Sequence, residues 1–130
     1  MTSTLAERLR QVSRRQTLRL THYGRKTGKP FQVTIWFIVE GERVWLATAN
    51  KNRQWVKNVQ KTPHVILKIG DETFEGEARF LTDPRERDRV LAMVRRKYWM
   101  FLPFMALGTL LHALRILENN TGALEVRIAP

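Results

Sequence analysis

The sequence predicts a single α+β domain, residues 1–130, built on a small, incompletely closed barrel of about six antiparallel strands with helices at its rim. Three observations predict this fold class. Several short segments alternate apolar and polar residues, the period of half-buried strands, and turn residues join them. Capping residues precede two segments with helical spacing. A chain of 130 residues is long enough for one hydrophobic core.

The first element is a predicted amphipathic helix. Thr4 and Glu7 have the spacing of a capping box, and apolar residues recur at helical spacing up to about Arg15: Leu5, Leu9 and Val12. The opposite face of this helix is basic. We interpret that face as solvated, in preference to one that covers a barrel end or lies on an anionic bilayer.

Two predicted strands, residues 18–23 and 31–39, flank a cationic turn with the sequence Gly-Arg-Lys-Thr-Gly-Lys-Pro. Gly24 and Gly28 permit backbone angles that other residues avoid, and Pro30 ends the turn. Exposed N–H groups and cationic side chains make this turn a candidate site for phosphate or carboxylate. It is not a P-loop, because that motif has four residues between its glycines and Ser or Thr after its lysine. A solvated hairpin tip is the alternative interpretation.

The second hairpin strand and a short helix follow. The nearly continuous apolar run of residues 31–39 predicts burial on both faces, and residues 43–48 predict its hairpin partner. A short helix is expected around residues 53–59, with Asn50 or Asn52 as its cap. The Thr-Pro pair that follows ends this helix.

The last part of the chain predicts a second hairpin, a longer helix and a closing strand. The hairpin comprises residues 64–69 and 73–81, and its core-facing side chains are Val65, Leu67 and Ile69. An Asp-Pro pair at residues 83–84 is typical of a helix start. Residues 124–128 alternate again and return the chain to the sheet.

Composition limits the possible functions. The formal charge of +11 indicates an anionic partner, such as a phosphorylated cofactor, nucleic acid or an acidic membrane face. The absence of cysteine excludes disulfides, thiolate metal sites and cysteine nucleophiles. The histidines lack metal-site spacing, so we predict no metal and structural roles for His22, His64 and His112. The first ten residues lack an apolar signal-peptide core, and we expect a cytoplasmic protein.

Residues 98–114 contain no Lys, Arg, Asp or Glu. A membrane-spanning helix needs about 20 apolar residues, whereas this run is shorter and contains Pro103 and Gly108. We interpret it as a buried helix pair, or as a lid over an apolar pocket in peripheral contact with the inner membrane face. Basic residues on either side suit such contact: Arg95, Arg96, Lys97 and Arg115.

Taken in order, several segments resemble the deazaflavin-dependent nitroreductase family: the cationic turn, the apolar hairpin, the Ala-Thr-Ala-Asn segment at residues 47–50 and the Arg-Gln-Trp-Val-Lys-Asn-Val helix at residues 53–59. The resemblance covers residues 18–81. It implies a split β-barrel and a reductase that uses the reduced deazaflavin coenzyme F-420, with flavin mononucleotide (FMN) less favoured. The acidic phosphate and oligoglutamate tail of that coenzyme would suit the cationic turn. Similar proteins often pair through barrel faces, which implies a homodimer.

The resemblance also implies site residues. The family's Gly-Arg-Lys-Ser/Thr-Gly loop falls on residues 24–28, so the phosphate and tail would contact Arg25, Lys26 and Thr27, with Lys29 beside them. The family's small-residue segment falls on three residues that would lie against the ring or phosphate of the coenzyme: Ala47, Thr48 and Ala49. The family's Trp-x-x-Asn helix would face the cofactor with Arg53, Trp55 and Asn58. The loop before this helix is shorter than the family's and lacks its glycines and proline.

The implied reaction is hydride transfer from the deazaflavin to an electron-poor acceptor, such as a quinone or an activated alkene. Tyr98 is the candidate catalytic proton donor, and core packing or lid closure is its alternative role. Two other functions stay open. One is a lipid-binding barrel without catalysis, whose apolar tunnel would lie at residues 98–114. The other is nucleic-acid binding, which we disfavour because the aromatic residues of segment 31–45 lie in apolar runs.

Overall fold

The computed structural model describes residues 4–48, 52–99 and 122–129. These residues form three helices and six strands in the predicted order. The helices are α1 (Leu5–Val12), α2 (Gln54–Lys61) and α3 (Pro84–Trp99). The strands are β1 (Leu18–Tyr23), β2 (Pro30–Glu40), β3 (Arg43–Thr48), β4 (His64–Ile69), β5 (Glu72–Phe80) and β6 (Gly122–Ile128). The predicted α+β class, with antiparallel strands and helices around them, is confirmed.

The six strands form a closed antiparallel barrel in the order β1-β2-β3-β6-β5-β4. The prediction of an incompletely closed barrel was therefore wrong. Closure depends on β1 and β4, which pair through Arg19 with Lys68, Leu20 with Leu67 and Thr21 with Ile66. This pairing joins residues that are distant in sequence, so no hairpin turn in the sequence indicates it.

Two apolar clusters pack on the barrel wall, one on its inner side and one on its outer side. The first lies inside the barrel and joins inward residues of all six strands to Leu9 of α1 and Val56 of α2. The predicted core-facing residues of β4 belong to it and are fully buried: Val65, Leu67 and Ile69. The second cluster lies between the outer face of β2 and β3 and the inner face of α3, where Trp36 and Trp45 pack against Val90. The short helices α1 and α2 thus pack on the barrel interior, and α3 covers its outside.

Strand β2 is buried on both faces only in its second half. Residues 35–38 are buried, as predicted for the whole run, but Phe31 is 49% exposed. Helix α3 explains the difference, because its packing partners on β2 are Trp36 and Ile38 and not the first residues of the strand. The exposed first half of β2 is free to line a cavity.

Two of the three described helices, α1 and α3, have the predicted side-chain cap at their N-terminus. The Thr4 Oγ1 atom accepts a hydrogen bond from the Glu7 amide at 3.2 Å, although α1 ends at Val12 and not near Arg15. The Asp83 Oδ1 atom accepts one from the Arg85 amide at 2.9 Å. At α2 the prediction was wrong, because its N-cap is Arg53 and no side chain caps it. Asn50, the other predicted cap, lies outside the described residues.

The end of α3 completes the hydrogen bonding of β2 beyond the first residue of β1. Strand β1 pairs with β2 only as far as Leu18 and Ile35. The Tyr98 hydroxyl accepts a hydrogen bond from the Phe37 amide at 3.1 Å and donates one to the Gln16 carbonyl. The Lys97 ammonium donates to the Phe37 carbonyl at 2.9 Å and lies 3.7 Å from the centre of the Phe37 ring. Two side chains of one helix therefore substitute for a missing strand neighbour.

On the outer surface, a buried carboxylate joins three strands. The Glu125 side chain is 3% exposed and lies within 4 Å of three guanidinium groups, those of Arg43 on β3, Arg79 on β5 and Arg127 on β6.

The described helices include none that is both long and apolar enough to cross a bilayer. Of residues 98–114, the predicted lid or buried helix pair, all but the first two lie outside the described residues.

Candidate functional site

A cavity of about 800 Å³ lies where the turn between β1 and β2 meets the first turn of α2. Its walls are the end of β1, residues 24–27 of the turn, the exposed start of β2 and residues 52–55 with Asn58. Small-molecule sites in proteins commonly occupy about 300–1,000 Å³. The cavity is therefore large enough for a cofactor-sized ligand.

The cationic turn has a fixed backbone. The Gly24 amide donates to the Lys29 carbonyl at 2.9 Å, and the Gly28 amide donates to the Gly24 carbonyl at 3.0 Å. Gly28 has a φ of +72°, a conformation that side-chain-bearing residues rarely adopt. The Thr27 Oγ1 atom accepts a hydrogen bond from the Lys29 amide at 3.3 Å. These bonds hold Lys26 and Thr27 at the cavity wall, whereas Lys29 is not among the described lining residues.

Arg25 fastens the turn to α2. Its guanidinium donates to the Asn58 Oδ1 atom at 3.0 Å and to the Gln54 Oε1 atom at 2.7 Å. The Lys61 ammonium returns a bond to the Arg25 carbonyl at 2.7 Å. All of these acceptors are neutral, so the contacts fix the guanidinium without cancelling its charge. Sequence resemblance predicted Arg25 as a ligand contact, and the structure gives it an additional positioning role.

The cavity wall is positively charged. Its described lining residues include Arg25, Lys26 and Arg53 and no aspartate or glutamate. Helix α2 begins at this wall with no side-chain cap on its first turn. The exposed amides and dipole of a helix N-terminus favour an anion. Charge, turn and helix start therefore all favour a ligand with a negative group.

A further part of the wall is flat and partly apolar. The His22 and Phe31 rings stack with their centroids 5.9 Å apart and their planes inclined by 26°. Val33 and the largely buried Trp55 extend this surface. Such a wall suits a planar ring system.

Sequence reasoning missed part of this wall. It assigned His22 only a structural role and placed Phe31 in a strand buried on both faces. One sequence signal was present: His22 occupies an inward position of β1 after Leu18 and Leu20, and a polar residue at such a position needs a partner.

The structure brings together most of the predicted cofactor residues but not all. The ones that line the cavity are Arg25, Lys26, Thr27, Arg53, Trp55 and Asn58. Ala47 packs in the cluster beneath α3, on the outer face of the barrel wall. Thr48 is buried at the end of β3 and is not among the described lining residues. Ala49 lies outside the described residues.

Tyr98, the candidate catalytic residue, is not among the described residues that line the cavity. Its side chain is 2% exposed and its ring stacks on Trp36 at 4.1 Å. Burial raises the pKa of the Tyr98 phenol, because a phenolate would lose its hydration. These contacts match the alternative of core packing, so a role in proton donation gains no support from the position of this side chain.

Across residues 4–48, 52–99 and 122–129, no group of three or more His, Asp or Glu side chains could hold a metal ion. The chemistry that the cavity supports is the binding of an anionic, planar organic ligand. His22 is the titratable ring within it, and burial lowers its pKa.

Comparisons with known proteins agree with this fold. A family model described as F420H(2)-dependent quinone reductase matches residues 2–102. A conserved hypothetical protein from Mycobacterium tuberculosis superposes with a TM-score of 0.74 at 21% identity, over 100% of this chain and 83% of that one.

Two further solved structures share the fold at low identity. The heme storage protein HutZ from Vibrio cholerae has a TM-score of 0.69 at 15% identity, over 98% of this chain and 92% of its own. The general stress protein 26 from Bacillus anthracis has a TM-score of 0.66 at 18% identity, over 95% and 88%. At such identities the likeness shows the split-barrel fold alone, and the predicted fold class is confirmed.

Proposed function

Because the chain belongs to the F420H(2)-dependent quinone reductase family, we propose that it is an oxidoreductase that binds reduced deazaflavin in the cavity between the cationic turn and α2 and reduces a quinone or an activated alkene. The observation that carries the proposal is the charge of that cavity. Its described walls hold three cationic side chains and no acidic one. A ligand with a phosphate and a carboxylate-bearing tail has the complementary charge.

The residues present fit such a cofactor. Lys26 is exposed at the cavity wall, where its ammonium is free to approach a phosphate. Arg25 is held at a fixed position by neutral partners and keeps its charge. The cationic side chains of Arg25 and Lys26 supply donors for oxyanions, and so do the exposed amides at the uncapped start of α2. The anionic end of the predicted cofactor thus suits the charged part of the cavity, and its ring system suits the flat part.

When bound, the deazaflavin would supply the hydride, and the protein would supply binding and orientation. The flat wall of His22 and Phe31 would fix the plane of a ring system, and Lys26 with the α2 N-terminus would fix its anionic end. Fixing both ends sets the position of the reacting face, which converts a bimolecular encounter into an oriented one. Trp55, which is 5% exposed, excludes water from the inner wall.

Other parts of the interpretation remain predictions. A quinone acceptor agrees with the family, and an activated alkene shares its electron-poor character. Homodimer formation and peripheral contact with the inner membrane face rest on the sequence alone. Deazaflavin is preferred to FMN because of the family and because of the number of cations that face one cavity.

The test is a binding titration of purified protein with reduced or oxidised coenzyme F-420 and, separately, with FMN. We expect Lys26→Ala to weaken deazaflavin binding by about tenfold, since one charge-assisted hydrogen bond from an exposed side chain contributes about 1.5 kcal/mol, the lower end of the range for such bonds. Phe31→Ala should weaken it by a similar factor through the loss of a stacking surface. Phe31 is half exposed, so its truncation should leave the fold intact.

The matched control is Lys57→Ala. Lys57 is an exposed cation on α2 that is not among the described lining residues, and its removal lowers the net charge by the same amount as Lys26→Ala. Equal loss of affinity in both variants would indicate a general charge effect and not a site. Absence of binding by the unaltered protein would overturn the proposed function.

A further inference from the structure

His22 is a buried, neutral hydrogen-bonding group at the wall of the cavity. The residue is 6% exposed and occupies the last inward position of β1. Its Nδ1 atom lies 3.0 Å from the Nδ2 atom of Asn58. No other described residue forms a hydrogen bond with the imidazole, so one ring nitrogen is left for a ligand.

The orientation of the Asn58 amide follows from Arg25. A guanidinium group has donors and no acceptor, so the Asn58 atom 3.0 Å from Arg25 must be the carbonyl oxygen. The NH₂ group of Asn58 therefore faces His22 and donates to it. The Nδ1 atom of His22 must then accept, and the ring proton resides on Nε2.

The hydrogen bond from Asn58 opposes protonation of the His22 ring. An imidazolium would place a second donor, Nδ1–H, against the NH₂ group of Asn58. The charged residues that line the cavity with the ring are Arg25 and Lys26 of the turn and Arg53 at the start of α2, all cationic. Burial acts in the same direction and lowers the pKa of His22.

We propose that the relay from Arg25 through Asn58 holds His22 as the Nε2–H tautomer, which donates a hydrogen bond to a carbonyl oxygen or ring nitrogen of a planar heterocyclic ligand in the cavity. His22 would thereby set the register of that ring on the wall formed with Phe31, to which it stacks. The inference rests on the proposed function in one respect: the acceptor belongs to the deazaflavin ring. It makes His22 a specificity residue and Asn58 a positioning residue.

The first measurement is ¹⁵N NMR of the histidine rings in the ligand-free protein. We expect a protonated Nε2 and an unprotonated Nδ1 for His22, with a pKa below the usual value of about 6.5. His64, which is exposed on β4, serves as the internal reference for the histidine signals. Asn58→Asp should move the proton to Nδ1 or raise the pKa of His22, because a carboxylate oxygen would then face Nδ1.

The second measurement is coenzyme F-420 and FMN binding by His22→Gln and His22→Phe, each checked for folding by circular dichroism. Gln keeps an N–H donor near the Nε2 position, so we expect affinity within about threefold of the unaltered protein. Phe keeps a flat ring without the donor, and we expect an approximately tenfold loss, the value of one hydrogen bond of about 1.4 kcal/mol.

The outcomes separate the two proposals. A protonated Nδ1 in the ligand-free protein would overturn the relay, whatever the cofactor. Cofactor binding that His22→Phe leaves unchanged would overturn the donor role while the proposed function stands. If the unaltered protein binds neither cofactor, both the proposed function and the donor role fail.

Discussion

Replacement of Tyr98 by phenylalanine separates a structural role from a catalytic one. The substitution keeps the ring and its stacking on Trp36 but removes the hydroxyl that bridges the Phe37 amide and the Gln16 carbonyl. The Phe37 amide lies in a buried hydrogen bond, whereas Gln16 is exposed and its carbonyl can regain water. One buried donor is therefore left unsatisfied, at a cost of about 1–3 kcal/mol.

We expect Tyr98→Phe to lower the free energy of unfolding by about 2 kcal/mol, measured by urea denaturation with an unchanged m-value. Cofactor affinity should stay within about twofold, because Tyr98 is not among the described lining residues. Tyr23→Phe is the control, since no described residue hydrogen-bonds to the Tyr23 hydroxyl, and it should change stability by less than about 0.5 kcal/mol. A stable Tyr98→Phe protein with normal cofactor binding and abolished turnover would refute the reasoning and favour proton donation.

Two further predictions concern the charged side chains of Glu125 and Lys97. Glu125→Gln should destabilise the fold by about 1–3 kcal/mol, because it leaves the guanidinium groups of Arg43, Arg79 and Arg127 close together without their shared carboxylate. Added salt should restore part of that loss in urea denaturation, and an unchanged midpoint would contradict it. Burial lowers the pKa of Lys97 from 10.5 to about 8. Between these two values the unfolded chain binds more protons than the native protein, so the stability of the native protein should rise with pH from about 8 to about 10.5. Lys97→Met should lack this rise, and parallel pH profiles for the two proteins would show that Lys97 is not its source.

Local signals predicted most of the secondary structure. Alternation in β4 gave the buried residues Val65, Leu67 and Ile69, and capping chemistry gave the starts of α1 and α3. These signals are contained in a few consecutive residues, so the sequence displays them directly. The closure of the barrel depends on the pairing of β1 with β4, which no local pattern specifies.

The orientation of β3 shows why its sequence does not reveal which of its side chains face the barrel interior. Residues 44–48 are all buried, because the barrel core covers one face and α3 the other. A strand buried on both faces has no alternation to reveal which side chains point inward. The resemblance supplied Ala47 and Thr48 as cofactor contacts, and the register instead places Ala47 beneath α3.

In the cationic turn, the sequence does not distinguish the roles of two neighbouring charged residues. From sequence, Arg25 and Lys26 are equivalent charges at a hairpin tip. In the structure, both terminal nitrogens of Arg25 donate to Asn58 and Gln54, so its charge and its remaining N–H groups are what a ligand can meet. Lys26 donates to no described residue and lies at the cavity wall. The bond from Arg25 orients the Asn58 amide, and the amide in turn fixes the tautomer of His22. The family pattern assigns Arg25 to phosphate binding. Through two hydrogen bonds, by way of Asn58, Arg25 thus also determines that the Nε2 atom of His22 is the donor available to the ring of the ligand.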